Sequence, residues 1–97
     1  MSPTYSLARW QRALREARRL GSLEPGAAHT AMWLETFADF RTGRNAAPAA
    51  DTLAQLQGVK RDTIYRNLAA LRVAGFIVLT RRGGGVNGLP SRYDLVI

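Results

Sequence analysis

The sequence predicts an α+β fold in which about four helices are followed by a β-hairpin. Up to residue 74, apolar residues recur every three or four positions, as they do on the buried face of a helix. After Gly75 the pattern changes to a short β-branched run, and a glycine-rich segment then leads to a second run of alternating apolar and polar residues. The length of 97 residues suits one domain.

Glycine and proline residues divide the helical part of the chain into four segments. The predicted helices cover residues 6–20, 27–41, 49–57 and 60–74. In the first of them, Leu7, Trp10 and Leu14 form one apolar stripe, and five arginines occupy much of the remaining surface. In the second, apolar area is supplied by Ala28, Met32, Leu34, Phe37, Ala38 and Phe40, and Trp33 adds more.

The predicted hairpin spans residues 76–96. Its first strand is residues 76–80, and its second strand is residues 91–96, with Tyr93 and Leu95 directed towards the core. Residues 83–88 between the strands contain a glycine run and the pair Asn87-Gly88, which is typical of a turn.

Charge gives the first indication of function. The chain has 14 Lys and Arg residues against seven Asp and Glu residues, which gives a net charge of +7. Residues 1–20 carry +4, residues 21–57 carry −2, and residues 58–97 carry +5. Because basic domains of this kind are typical of nucleic-acid binders, we expect an anionic partner to contact the two basic ends.

Several other classes of protein are disfavoured. The absence of cysteine excludes disulfides, thiolate metal sites and cysteine nucleophiles, and it is consistent with a reducing cytoplasm. His29 is the only histidine, and Glu35 and Asp39 have the pattern of solvated helix charges. We therefore predict no enzyme activity, no metal and no cofactor. Neither a secretory signal nor an apolar run near the ~18 residues of a membrane span is visible, so we expect a cytoplasmic protein with no membrane partner.

The segment from residue 53 to residue 77 carries the most specific pattern. It reads L-A-x-L-x-G-V-K-R-x-T-I-x-x-x-L-x-x-L-x-x-x-G-F-I. Ala54 is small where two helices are expected to cross, and Gly58 permits a left-handed turn between them. Val59, Ile64 and Leu68 are expected to hold the second helix against the first.

With this pattern, residues 46–97 resemble the winged helix-turn-helix superfamily of bacterial transcriptional regulators and of plasmid and phage replication proteins. The resemblance implies a single winged helix-turn-helix domain over residues 1–97, with the helix-turn-helix at 49–74 and the hairpin as its wing. It also implies that the second helix of this unit lies in the major groove of double-stranded DNA.

The sequence departs from the usual pattern of the superfamily at three positions. Lys60 stands where a serine N-cap is common, so this helix start loses a cap and gains a cation. Gln57 and Asn67 stand where small or apolar residues are usual. Each is either partly buried and hydrogen-bonded or exposed at the DNA face.

The resemblance also assigns DNA-binding residues on the reading helix, which are Lys60, Arg61, Asp62, Thr63, Tyr65 and Arg66. Arg61 and Arg66 are predicted to face roughly the same arc and to bind guanine or phosphate. Asp62 is predicted either to accept a hydrogen bond from cytosine or to hold one of these arginines in place.

On the wing, the predicted DNA-binding residues are Arg81, Arg82 and Arg92. Their guanidinium groups are expected to meet phosphates or to enter the minor groove. The alternative is an ordinary hairpin with solvated arginines.

The predicted function is sequence-specific binding of double-stranded DNA for transcription regulation, at the nucleoid or on a plasmid, with no small-molecule ligand implied. One alternative is a plasmid or phage protein of replication initiation or partition. Two others are a basic RNA-binding protein and a winged helix that binds protein. The stripe of Leu7, Trp10 and Leu14 either covers the core or forms the interface of a homodimer. We predict a homodimer because winged regulators usually dimerise.

Overall fold

A computed structural model describes residues 5–83 and 90–96 of the chain. The elements in chain order are α1 (Leu7–Arg19), α2 (Pro25–Glu35), α3 (Ala50–Gln57), α4 (Arg61–Val73), β1 (Ile77–Arg81) and β2 (Arg92–Leu95). The two strands pair antiparallel. Four helices followed by a hairpin make a winged-helix fold, which confirms the predicted fold class. Most of the predicted turn at 83–88 lies outside the described residues.

Helix α1 is tied to the start of the hairpin by a tryptophan. The helix begins after Ser6, whose hydroxyl accepts a hydrogen bond from the backbone N–H of Arg9 at 3.4 Å. One turn later, the indole Nε1 of Trp10 donates to the carbonyl of Phe76 at 3.0 Å. The two aromatic rings meet edge to face with centroids 6.4 Å apart. These contacts join residues that are far apart in the sequence.

The apolar stripe of α1 therefore belongs to the core of a single chain. Trp10 is completely buried, Leu14 is 3% exposed, and Leu7 packs against the same core. This burial argues against the predicted dimer interface at these residues, because the side chains of Trp10 and Leu14 are already covered within one chain and Leu7 is half-buried against the same core. The homodimer itself stays a prediction, and its interface would involve a different surface.

Helix α2 starts earlier and ends earlier than the predicted range of 27–41. Pro25 occupies the first turn, where its fixed φ and missing N–H suit a helix start. The helix ends at Glu35, and the hydroxyl of the following Thr36 donates to the carbonyl of Trp33 at 2.7 Å.

After α2 the chain forms a turn in which an aspartate side chain binds backbone N–H groups. The carboxylate of Asp39 accepts hydrogen bonds from the N–H groups of Arg41 and Thr42 at 2.8 and 3.1 Å. Of the apolar residues predicted for the second helix, Ala28 and Leu34 are buried, but others are not. Phe40 is 78% exposed, and Met32 on the helix itself is 58% exposed.

The turn between α3 and α4 has the predicted left-handed glycine. Gly58 adopts φ 73°, and the N–H groups of Gly58 and Val59 both donate to the carbonyl of Ala54, at 2.8 and 3.0 Å. Lys60 takes the N-cap position of α4, and its side chain makes no capping hydrogen bond in the described part of the chain. Ile64 of α4 is fully buried, as the motif predicts.

The hairpin is held on both edges of its second strand. Tyr93 pairs with Leu79 of β1 on one side. On the other side it exchanges two backbone hydrogen bonds with Ala46, at 2.8 and 2.9 Å. Tyr93 and Leu95 are buried, as predicted. The pairing with Ala46 fixes the base of the hairpin to the segment that leads into α3.

Replacement of Trp10 distinguishes a core residue from an interface residue. We expect Trp10→Ala to lower the free energy of unfolding by about 3–5 kcal/mol, because it leaves a large cavity. Urea denaturation measures this change. Leu20→Ala is the matched control, since Leu20 follows the same helix but is 65% exposed. Unchanged stability of Trp10→Ala, together with a shift from dimer to monomer in sedimentation, would contradict the assignment to the core.

Candidate nucleic-acid interface

A groove of about 520 Å³ runs between α4 and the hairpin. Arg61 and Arg72 line it from α4, and Arg82 lines it from the hairpin. The start of α3 closes one end of the groove. All three guanidinium side chains belong to exposed residues. We call this feature the arginine groove, and its three cations make it suited to an anionic ligand.

Helix α4 presents Arg61 and Arg72 to the groove from the flank of its buried apolar face, and Leu68 of that face also lines the groove. Ile64, Leu68 and Leu71 are buried at spacings of four and three residues. Arg61 and Arg72 are 11 positions apart and therefore lie within about 20° of each other around the helix axis. Tyr65, which also lines the groove and is 55% exposed, lies on the same strip of the helix.

The rotation of α4 is also set by a buried polar cluster, defined by Gly26, Thr30, Gln57 and Asn67. The amide Nδ2 of Asn67 donates to Oγ1 of Thr30 at 3.0 Å and to the carbonyl of Gly26 at 3.2 Å. Thr30 donates to Oε1 of Gln57 at 2.5 Å, and Nε2 of Gln57 donates to the Gly26 carbonyl at 3.1 Å. Thr30 is fully buried and Asn67 is 8% exposed.

This polar cluster joins three helices, because Gly26 and Thr30 lie in α2, Gln57 in α3 and Asn67 in α4. Of the two alternatives left open by the sequence for Gln57 and Asn67, the partly buried and hydrogen-bonded one is therefore correct, with Asn67 buried and Gln57 half-buried. Each of their amide nitrogens has an acceptor, as buried polar groups require.

Arg61 does not project freely into solvent but is bound by a carboxylate of α3. Its Nε donates to Oδ1 of Asp51 at 2.6 Å, and its Nη2 donates to Oδ2 at 2.9 Å. Hydrogen bonding to Asp51 raises the pKa of Arg61 above its usual value. The sequence offers Asp62 as a residue that could hold an arginine, but for Arg61 this role belongs to Asp51.

The other residues predicted to bind DNA on the reading helix lie on different sides of α4. Lys60, Asp62 and Arg66 are exposed, and Thr63 is half-buried. Arg66 is not among the described residues that line the arginine groove. The prediction that it faces the same arc as Arg61 is wrong, because five residues turn an α-helix by about 140° relative to the starting position.

The three predicted wing arginines have different surroundings. Arg81 is partly buried, and its Nη2 donates to the carbonyl of Pro90 at 2.9 Å. Arg92 donates through Nη1 to Oδ1 of Asn45 at 3.2 Å. Arg82 is exposed and lines the groove. Arg81 therefore contributes to the internal structure of the hairpin and Arg92 connects the hairpin to the segment before α3, whereas Arg82 faces the site.

Several residues that line the groove are not predicted as site residues from the sequence. Arg72 has a signal in the sequence, since it follows Arg61 and Tyr65 at helical spacing. Asp51 has none, because its ion pair depends on how α3 and α4 pack. Tyr93 was predicted only as a core residue, yet it also lines the groove. Its burial raises the pKa of its hydroxyl.

Within residues 5–83 and 90–96, no group of three or more His, Cys, Asp or Glu side chains is arranged to hold a metal ion. No helix among these residues combines the length and the apolar character that a membrane crossing needs.

The chain is similar to one solved structure, which is described as that of the transcriptional regulator PA3341. The match has a TM-score of 0.54 and 26% sequence identity, and it covers 93% of this chain and 62% of that regulator. This chain thus spans less than two thirds of the length of the regulator. No protein-family model matches the sequence, and no curated protein shows significant similarity to it.

The polar cluster can be tested with a nearly isosteric substitution. We expect Thr30→Val to lower the free energy of unfolding by about 1–3 kcal/mol, because it removes the hydroxyl that accepts from Nδ2 of Asn67 and leaves Oε1 of Gln57 without its donor. Chemical denaturation measures the change. The matched control is Thr52→Val, at an exposed position of α3. Equal stability of the two variants would show that the cluster does not constrain the helices.

Proposed function

We propose that this protein binds double-stranded DNA in a sequence-specific manner and thereby regulates transcription. In this proposal α4 enters the major groove, and the hairpin lies against the DNA backbone. The observation that supports it best is the arginine groove, where Arg61, Arg72 and Arg82 converge from two elements. A helix with one exposed basic face fits the width of the B-DNA major groove.

The distribution of charge agrees with this orientation. The basic residues 58–97 include α4 and the hairpin, whereas residues 21–57 are net acidic. Phosphates attract the basic part of the chain from a distance, and base contacts then decide which sequence is preferred. Within α4, Tyr65 adds an exposed aromatic surface between Arg61 and Arg72. Such a ring can pack against a sugar or a thymine methyl group.

The comparison with a solved structure supports a DNA-binding regulator over the alternatives. The similar protein is described as a transcriptional regulator, and the match includes 93% of this chain. The alternative of a plasmid or phage replication or partition protein receives no support from it. Binding to duplex RNA is disfavoured on physical grounds, because the deep and narrow major groove of A-form RNA does not admit a helix.

Direct binding measurements test the class of partner. We expect tighter binding to duplex DNA than to duplex RNA of equal length at the same salt concentration. The logarithm of the affinity should fall with the logarithm of salt concentration, with a slope of about −0.9 per phosphate neutralised. Fluorescence anisotropy over a range of salt concentrations gives both quantities. Equal or tighter RNA binding, or a slope near zero, would refute the proposal.

Substitutions in the groove test where DNA binds. We expect Arg72→Ala and Arg82→Ala each to weaken binding to a selected site and to a scrambled duplex by similar factors, because phosphate contacts carry little sequence information. Each lost phosphate contact should make the salt slope shallower by about 0.9. Arg41→Ala is the matched control, since it removes the same charge from an exposed position that lies outside the two basic ends and does not line the groove. If it weakens binding as much as the groove variants do, the groove is not the DNA-binding site.

A further inference from the structure

We infer that Asp51 is a positioning residue that holds Arg61 ready to recognise guanine. This inference rests on the proposed function of the arginine groove. Asp51 lies in the first turn of α3, and Arg61 is the first residue of α4. The ion pair therefore connects the two helices of the helix-turn-helix at the edge of the groove.

The geometry of the ion pair leaves the outer edge of the Arg61 guanidinium, formed by Nη1 and Nη2, available for a base. Asp51 engages one side of the guanidinium, through Nε at 2.6 Å and Nη2 at 2.9 Å. An arginine has five N–H donors, so two are used and three remain, two on Nη1 and one on Nη2. The free Nη1 and Nη2 edge presents two parallel donors. These match the O6 and N7 acceptors that guanine displays in the major groove.

Stability alone does not explain why a carboxylate lies in this groove. The side chains of Arg61 and Asp51 are 57% and 64% exposed, and exposed ion pairs contribute little to folding. An unpaired carboxylate here would repel the phosphates of DNA. Paired with Arg61, the same carboxylate restricts the orientation of the guanidinium before binding, which lowers the entropic cost of ordering a long side chain.

This role predicts opposite effects on affinity and on specificity when the carboxylate is removed. Asp51→Asn keeps the size of the side chain but adds one positive charge to the net charge of the protein. Binding to scrambled DNA should therefore become tighter or stay the same. Preference for guanine at one position of the site should fall, because Arg61 is no longer held in one orientation.

The experiment selects bound duplexes from a random pool and compares the wild-type protein with Asp51→Asn, Arg61→Ala and Glu24→Gln. Glu24→Gln is the matched control, since it makes the same change of charge at an exposed N-cap position of α2 whose side chain makes no capping hydrogen bond. We expect the wild-type protein to prefer guanine at one position by about tenfold or more. Asp51→Asn and Arg61→Ala should lose this preference at the same position, and Glu24→Gln should keep it.

Two further measurements separate positioning from a structural role. Thermal unfolding should show that Asp51→Asn remains folded. In the Arg61→Ala background, Asp51→Asn should cause no further loss of base preference, because the residue it positions is absent. A loss of preference at positions that Arg61→Ala does not affect would overturn the inference.

The remaining outcomes are also decisive. If the wild-type protein selects a site and Asp51→Asn selects the same bases with the same strength, the inference is wrong and the proposed function stands. If Asp51→Asn prefers guanine more strongly than the wild-type protein, Asp51 restrains Arg61 from binding, which also overturns the inference. If the wild-type protein binds no DNA or shows no base preference, the proposed function fails, and the inference fails with it.

Discussion

The side-chain amide of Asn67 extends from the buried face of α4 and donates hydrogen bonds to the hydroxyl of Thr30 and the carbonyl of Gly26, which both lie in α2. An apolar residue at this position could pack against its neighbours in several rotations of the helix, since the hydrophobic effect has no direction. Hydrogen bonds are directional, and breaking them in a buried site leaves unsatisfied polar groups. The polar cluster therefore selects one rotation of α4, and that rotation decides which residues line the arginine groove.

The second wall of the groove has a separate attachment. The hairpin is connected to α1 through the hydrogen bond from Trp10 to Phe76, and to the segment before α3 through the pairing of Ala46 with Tyr93. Both contacts lie near the base of the hairpin. Arg82 is thus presented to the groove from a base that is held at two places.

The net charge and the placement of charge have different consequences. A net charge of +7 attracts the protein to any polyanion. The structure divides the arginines by their surroundings, because Arg81 and Arg92 donate hydrogen bonds inside the chain, whereas Arg72 and Arg82 face the groove. Arg61 differs from all of these in being paired with Asp51. A site built this way combines general attraction with one oriented donor group.

The order of the elements, the winged-helix architecture and the bounds of three of the four helices follow from local patterns in the sequence. Periodicity, capping residues and left-handed glycines such as Gly58 act within a few neighbouring residues, so their effects can be predicted without the tertiary structure. The sequence by itself could not determine the early end of α2, where Asp39 competes with the helix for backbone N–H groups. Nor could it show that Trp10 covers the core or that Asp51 holds Arg61. These outcomes depend on contacts between residues 66 and 10 positions apart, and the packing of the whole chain decides which of such pairs meet.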